Sequence, residues 1–114
     1  MLYVVAVEGC VDIIDDHRAD ALGAMGLMQV MPDTGRRYGV RAQELRVPKK
    51  NIATGAQYLA DLLQMFDGDV RLALAGYNAG ENSVVRHGNR IPPYAETRAY
   101  VPRVLNTYDQ LRLR

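Results

Sequence analysis

The chain has 114 residues, 48% of them hydrophobic and 24% charged, and its 14 basic and 13 acidic residues leave a formal net charge of +1. That length suits a single domain, residues 1–114, with one modest core, and a composition near the globular average excludes disordered and fibrous classes. With no charge excess to recruit nucleic acid or a membrane surface, no nucleic-acid partner is expected, and a lone Cys10 excludes an intrachain disulfide framework.

The first residues, Met1 to Val7, are apolar and rich in β-branched side chains, which on propensity alone reads as a strand. They lack a basic leader and a full apolar stretch, so no signal peptide is visible, and no apolar run approaches the roughly 20 residues of a membrane helix. Glu8 follows directly. If the preceding segment is buried, the Glu8 carboxyl is desolvated and its pKa raised, which is what a general acid near neutral pH requires; otherwise it is the first solvated residue after the segment. Residues 11–22 carry Asp12, Asp15, Asp16, His17, Arg18 and Asp20 around Ile13 and Ile14, and read as a solvated loop or short helical turn. Their spacing lacks the glycine and glutamate of a calcium loop and offers no second His or Cys ligand, so no metal site is expected.

From Gly23 to Pro32, two glycines, one amide and one proline interrupt an otherwise apolar run, GAMGLMQVMP. Glycine permits positive φ and close backbone approach, Gln29 needs a hydrogen-bond partner if buried, and Pro32 can open a helix. The pattern predicts a tight turn leading into a short helix over 33–38 that stops at Gly39. Residues 40–50 read as a polar connector.

From Asn51, a plausible N-cap, apolar residues recur every three or four positions: Ile52, Ala56, Leu59, Leu62, Leu63 and Phe66. Thr54, Gln57, Asp61 and Gln64 form the opposite stripe, and Gly68 marks the stop. Residues 69–77 are apolar on nearly every side after Arg71, which predicts a short buried helix whose Ala and Gly permit close packing. Asn78-Ala79-Gly80 ends it. Another short helix over 81–87 follows, with His87 a last-turn cation beside Gly88. Residues 89–94 form a proline-stiffened loop. The last helix starts near Glu96, presents Val101, Val104, Leu105, Tyr108 and Leu111 on one face, and contains Pro102. Polar groups at element ends, namely Glu8, Gln29, Tyr77 with Asn78, and Tyr94 with Glu96, could converge in one cleft. With seven Tyr and no Trp, contacts to sugar rings would fall to tyrosine.

Four blocks in order resemble one family. GAMGLMQVMPDTGRRYGV is similar to its GAxGLMQxMPxTA block, NIATGAQYLADLL to its NIxxGxxYLxxLL helix, LALAGYNAG to ALAAYNAG, and IPPYAETRAYVPRVL to PPYxETxxYVxRVL. The family is the transglycosylase SLT domain, the catalytic domain of lytic transglycosylases, related in fold to goose-type lysozymes. The resemblance implies a mostly α, lysozyme-like helical domain that binds peptidoglycan glycan strands and cleaves between N-acetylmuramic acid and N-acetylglucosamine. It places Glu8 at the family's catalytic glutamate, the sole general acid and base. Gln29 and Met31 fall at cleft-lining positions, Tyr77 and Asn78 at the pair near the catalytic carboxyl, Glu96 at an acid that contacts substrate, and Tyr94 and Tyr100 at ring residues beside it.

The implied reaction needs one carboxyl, where ordinary glycosidases use two. The glutamic acid protonates the leaving oxygen, the 2-acetamido group stabilises the oxocarbenium-like centre, and the glutamate then takes the proton of the muramic acid 6-hydroxyl to give a 1,6-anhydro end. No cofactor is implied. The family implies a periplasmic or cell-envelope location, and such domains accompany envelope-spanning secretion or conjugation machines.

Two departures motivate alternatives. Gly9 stands where the family carries a serine that helps orient the glutamate, and only seven residues precede Glu8, so the first helix reads as truncated, with lower stability or self-association expected. A catalytically impaired module that holds glycan strands without cutting them is one alternative. A goose-type muramidase using Asp12, Asp15 or Asp16 as a second acid is the other.

Overall fold

A proline that opens a helix and a glycine that ends it bracket the first helix of the computed structural model, which describes residues 23–112. The strand alternative, the acidic loop, the shortened first helix and Glu8 all lie outside the described residues. Within them the chain is mostly helical: α1 (Pro32–Arg37), a 3₁₀ turn (Ala42–Arg46), α2 (Pro48–Met65), α3 (Val70–Ala79), α4 (Glu81–Arg86) and α5 (Ala95–Arg112). The chain divides into two compact units, one ending at Gln57 and the other beginning at Tyr58, within α2.

In the first unit, Met25 and Val30 pair antiparallel across a four-residue turn, their amides and carbonyls exchanging bonds of 3.0 and 2.9 Å. The sequence signalled the tight turn but not this pairing. α1 ends in a Schellman arrangement: Val40 N–H reaches the Gly35 carbonyl at 2.9 Å, Gly39 N–H the Arg36 carbonyl at 3.0 Å, and Gly39 takes φ 71°. Gly35 is buried against Leu45 of the 3₁₀ turn, where a Cβ would meet a leucine methyl and the Val40 carbonyl oxygen, each at 3.0 Å.

Two expectations are corrected here. The 40–50 connector contains the 3₁₀ turn and the start of α2, because Pro48 occupies the first helical position, where its missing N–H is no loss. Asn51 is therefore not an N-cap. It lies inside the first turns of α2, fully buried, with its backbone N–H bonded to the Val47 carbonyl at 2.9 Å.

The buried stripe of α2 runs through Asn51, Thr54, Gly55, Tyr58, Leu59 and Leu62, and Phe66 continues it just past the helix end. Thr54, expected on the polar face, is buried, and its hydroxyl donates back to the Lys50 carbonyl at 2.8 Å. A helical threonine that satisfies its own hydroxyl can sit on an apolar face.

In the second unit, α3 packs against both α4 and α5. Asp69 caps α3, its carboxylate accepting from Leu72 N–H at 3.1 Å. Ala73, Leu74, Ala75 and Gly76 are all buried. A Cβ on Gly76 would meet Leu62 at 3.3 Å and Phe66 at 3.4 Å, so α3 approaches the second half of α2 as closely as its small residues allow. Gly80, at φ 89°, both ends α3 and begins α4. His87 ends α4 as expected, its Nδ1 donating to the Ser83 carbonyl at 2.7 Å.

α5 runs unbroken through Pro102 and buries Thr97, Tyr100, Val101 and Val104. Its apolar face is thus concentrated in its first half. Tyr108, placed on that face by periodicity, is exposed, with the Arg112 guanidinium 5.8 Å from its ring. A tyrosine can leave the core more readily than valine because its hydroxyl is solvated.

Candidate functional site

The turn between Met25 and Val30 is closed by a buried amide. The Asn51 Nδ2 donates to the carbonyls of Met25 at 2.8 Å and Leu45 at 3.0 Å, and its Oδ1 accepts from Met28 N–H at 2.8 Å. Both amide hydrogens and the amide oxygen are thereby used, which is what a fully buried asparagine needs. The turn comes so close that a Cβ on Gly26 would lie 2.4 Å from Asn51 Nδ2.

Held this way, the turn places Gln29 and Met31. Gln29 takes φ 50°, a left-handed conformation uncommon for a residue with a side chain, and its Nε2 donates to the Gly26 carbonyl at 2.9 Å. The amide that the apolar setting required to be satisfied is satisfied within the turn itself. Met31, the residue before α1, is 42% exposed, with its methyl against Gly23. A polarizable, flexible thioether on the surface suits contact with a ligand of irregular shape.

The second unit gathers four of the other named residues at the ends of α3 and α5. Asn78, in the last turn of α3, donates from Nδ2 to Glu96 Oε1 at 3.4 Å and accepts at Oδ1 from the Thr97 hydroxyl at 2.8 Å. Glu96 and Thr97 lie in the first turn of α5, where an acidic side chain is favoured by the helix dipole. Asn78 and Glu96, 18 residues apart in sequence, are thus joined.

Tyr77 has its ring 5.4 Å from that of Tyr58, inclined at 38°. The Tyr58 hydroxyl donates to Glu81 Oε2 at 2.7 Å and lies 3.4 Å from the Gly76 carbonyl. One hydroxyl thereby ties the last turn of α3 to the first turn of α4. Tyr94, 42% exposed, meets the His87 ring edge-on at 5.7 Å. Tyr100 is 3% exposed and lies in the core of this unit, with the Arg103 guanidinium 5.7 Å from its ring.

Sequence reasoning did not single out Tyr58, Glu81 or Thr97, and gave Asn51 only as an N-cap. A signal existed for Asn51 and Tyr58: Thr54, Gly55, Tyr58, Leu59 and Leu62 lie three, four, seven, eight and eleven residues after Asn51, on one helical stripe. Glu81 stands in the polar run Glu81-Asn82-Ser83 with nothing to set it apart, whereas Thr97 is the threonine of the PPYxETxxYVxRVL block. Among the described residues no three His, Cys, Asp or Glu side chains converge as metal ligands would. None of the described helices is long and apolar enough to cross a membrane.

Residues 13–97 match the family model described as Transglycosylase SLT domain. That match begins after Glu8. The chain is 30% identical over 114 aligned residues to membrane-bound lytic murein transglycosylase D of Escherichia coli K12, covering 86% of this chain and 25% of that protein. It is 34% identical over 108 residues to the soluble lytic murein transglycosylase of Salmonella typhimurium, covering 77% of this chain and 17% of that one. With the transglycosylase of Enterobacteria phage PRD1 it shares 44% identity over 61 residues, 54% of this chain and 22% of the phage protein. The chain thus spans a quarter or less of the length of these relatives. No solved structure matches it.

Proposed function

The chain belongs to the transglycosylase SLT domain family, and on that footing we propose that it is a murein lytic transglycosylase, cleaving the bond between N-acetylmuramic acid and N-acetylglucosamine with Glu8 as its general acid and base. The observation that carries the reading is the joining of Asn78 to Glu96 within the family match, two polar groups drawn together at neighbouring helix ends. Such paired groups suit a polyhydroxylated chain whose own groups both donate and accept. Tyr94, exposed and buttressed by His87, supplies an apolar ring face of the kind that packs on a sugar. Gln29, Met31 and Tyr77 complete the substrate-binding set, and Tyr100 supports it from the core.

A single carboxyl is enough because the muramic acid 6-hydroxyl replaces water as nucleophile. Glu8 gives its proton to the leaving oxygen as the bond to C1 breaks, then accepts the proton of the 6-hydroxyl as that oxygen closes on C1. Atoms and protons balance, and no water is consumed. The work would be done where murein lies, at the cell envelope, and an envelope-spanning secretion or conjugation machine is the partner for which local cleavage makes room.

A second reading has its own support. Gly9 stands in place of the family's serine and the family match begins beyond Glu8, which favours a module that holds glycan strands without cutting them. Mass spectrometry of soluble products released from purified peptidoglycan, by the chain and by Glu8→Gln, separates the readings. Anhydro-muropeptides lost in the variant support the proposal. Reducing-end muropeptides mean a hydrolase, and sedimentation onto the polymer without any product means a binding module.

A further inference from the structure

Two rings meet where α4 gives way to α5. His87, at the end of α4, and Tyr94, the residue before α5, have ring centroids 5.7 Å apart and planes inclined at 85°. His87 is itself tied down: its Nδ1 donates to the Ser83 carbonyl at 2.7 Å, and its backbone N–H reaches the Ser83 and Val84 carbonyls, each at 3.2 Å. Ser83 is buried, so the anchor belongs to the interior of this unit. We propose that His87 is a positioning residue for glycan binding: its imidazole, aimed by the Ser83 carbonyl, holds the Tyr94 side chain in the rotamer that presents a ring face to a sugar. This rests on the murein-binding reading above.

What needs holding is the side chain and not the backbone. The Tyr94 carbonyl accepts from Arg98 N–H at 2.9 Å, so the first turn of α5 fixes the main chain. The ring stands outside that helix and is exposed. Among the described residues it has no ring partner besides His87, and its hydroxyl has no hydrogen-bond partner. An exposed tyrosine without such a neighbour divides its time among staggered rotamers, and binding must then bear the entropy of choosing one. A ring already settled meets the sugar without that loss.

The suitability of imidazole follows from the bond to Ser83. A carbonyl oxygen only accepts, so Nδ1 carries a hydrogen, and a bond made by a ring atom fixes the plane of the ring as well as its position. The 85° between planes is the edge-to-face arrangement that aromatic pairs favour. It also governs access, because a ring standing perpendicular to Tyr94 covers at most one of its two faces and leaves the other for the apolar C–H side of a sugar. Phenylalanine at position 87 would offer a ring with nothing to aim it. Asparagine would keep a donor for the Ser83 carbonyl and offer no ring.

The test uses the full chain carrying His87→Asn or His87→Phe, each first shown to unfold cooperatively. The first readout is the set of three-bond NMR couplings that report χ1 of Tyr94. Wild type gives the values of one dominant rotamer, and His87→Asn gives averaged values. The second is affinity for soluble glycan strands released from peptidoglycan by an amidase. His87→Asn weakens it about three- to tenfold, the effect of immobilising one side chain on binding, and His87→Phe recovers only part of the loss. In a Tyr94→Ala background His87→Asn has little further effect, because the ring it would have set is gone.

Averaged Tyr94 couplings in wild type, or one dominant rotamer persisting in His87→Asn, would overturn the proposal. So would unchanged affinity, full recovery in His87→Phe, or an equal loss in the Tyr94→Ala background, which would make His87 a glycan contact or a structural residue in its own right. A wild-type chain that binds no glycan strand overturns the murein reading instead, and the couplings still decide whether His87 sets Tyr94.

Discussion

Gly26 and Asn51 share a space that admits no side chain at position 26: a Cβ there would lie 2.4 Å from Asn51 Nδ2 and 2.6 Å from its Cγ. Asn51 cannot retreat, because its three hydrogen bonds to Met25, Met28 and Leu45 fix it in place. The turn that carries Gln29 is therefore built on a glycine and an amide fitted to each other.

Gly26→Ala meets both this collision and a φ of 72°, whereas Gly39→Ala meets only a φ of 71°, with nothing within 4 Å. The left-handed conformation alone costs alanine about 1–2 kcal/mol. We expect Gly39→Ala to fall in that range and Gly26→Ala to lose about 3 kcal/mol or more. Urea unfolding of the two variants measures the difference. Equal losses would mean that the closeness to Asn51 is not what reserves position 26 for glycine.

Asn51→Ala removes one hydrogen bond each from the Met28 N–H, the Leu45 carbonyl and the Met25 carbonyl, the last of which keeps its bond from Val30 N–H. Losing buried hydrogen bonds costs about 1–3 kcal/mol where a group is left unsatisfied, so a loss of about 2–3 kcal/mol is expected. Exchange of the Met28 amide hydrogen should quicken by a larger factor than that of amides in the middle of α5. Uniform quickening would show global unfolding rather than release of the turn.

Tyr58 and Glu81 give a separable pair. The bond is short, at 2.7 Å, and its acceptor is a carboxylate, so about 1.5–3 kcal/mol is expected for Tyr58→Phe. Because the phenyl ring remains to pack on Tyr77, the loss reports the hydroxyl. A double-mutant cycle with Glu81→Ala should return a coupling of about 1 kcal/mol or more. Additive effects would remove Glu81 as the partner that matters.

How far the sequence was legible follows from what each residue shows in isolation. α1, α3, α4 and α5 were placed within one or two residues, because proline, glycine and the Asn78-Ala79-Gly80 run punctuate their ends and apolar spacing fills them. α2 was misplaced by three residues at its start, since Asn51 has the chemistry of an N-cap and Pro48-Lys49-Lys50 reads as polar connector. The same residue hid part of the site. An asparagine, a threonine and a tyrosine on the buried stripe look polar in the chain and act as core once their hydrogen bonds are closed. Asn78 and Glu96 were named as polar groups at element ends and again through the family resemblance, but the bond from Thr97 to Asn78 becomes visible only when α3 and α5 are packed together.

Acid should reveal a network at the start of α2. The Glu44 carboxylate accepts from Lys50 Nζ at 2.6 Å and from the Arg41 backbone and side chain, each at 3.1 Å. These bonds, Lys50 first, lower its pKa from the usual 4.5 to about 2. A carboxylate lowered on folding contributes stability that is complete above its unfolded pKa and fades as pH falls through the folded one. Between about pH 4.5 and 2, Glu44→Gln should flatten the fall of the urea midpoint, and salt should act in the same direction by screening these surface charges. An identical fall in wild type and variant would assign acid sensitivity elsewhere.

Pro102 lies at the eighth position of α5, exposed, where an N–H would otherwise bond to the Arg98 carbonyl. Interior proline costs a helix about 3 kcal/mol relative to alanine. Pro102→Ala should raise stability by about 1–3 kcal/mol, the lower figure applying if the helix already bends to relieve the ring. Thermal unfolding checks it, and a lower melting temperature would show that the proline is required by the packing of Tyr100 and Val104.

Gly80 ends one helix and begins the next, so the passage from α3 to α4 has no spare residue in which a change of chain length could be absorbed. An added residue there would rotate Glu81 by about 100° around its helix and carry its carboxylate away from Tyr58. Insertion scanning along the chain should therefore find this corner closed to even one extra amino acid, while the loop of residues 89–94 accepts several. Descendants of this chain would be free to vary in composition around Tyr77 and Asn78, but in spacing hardly at all.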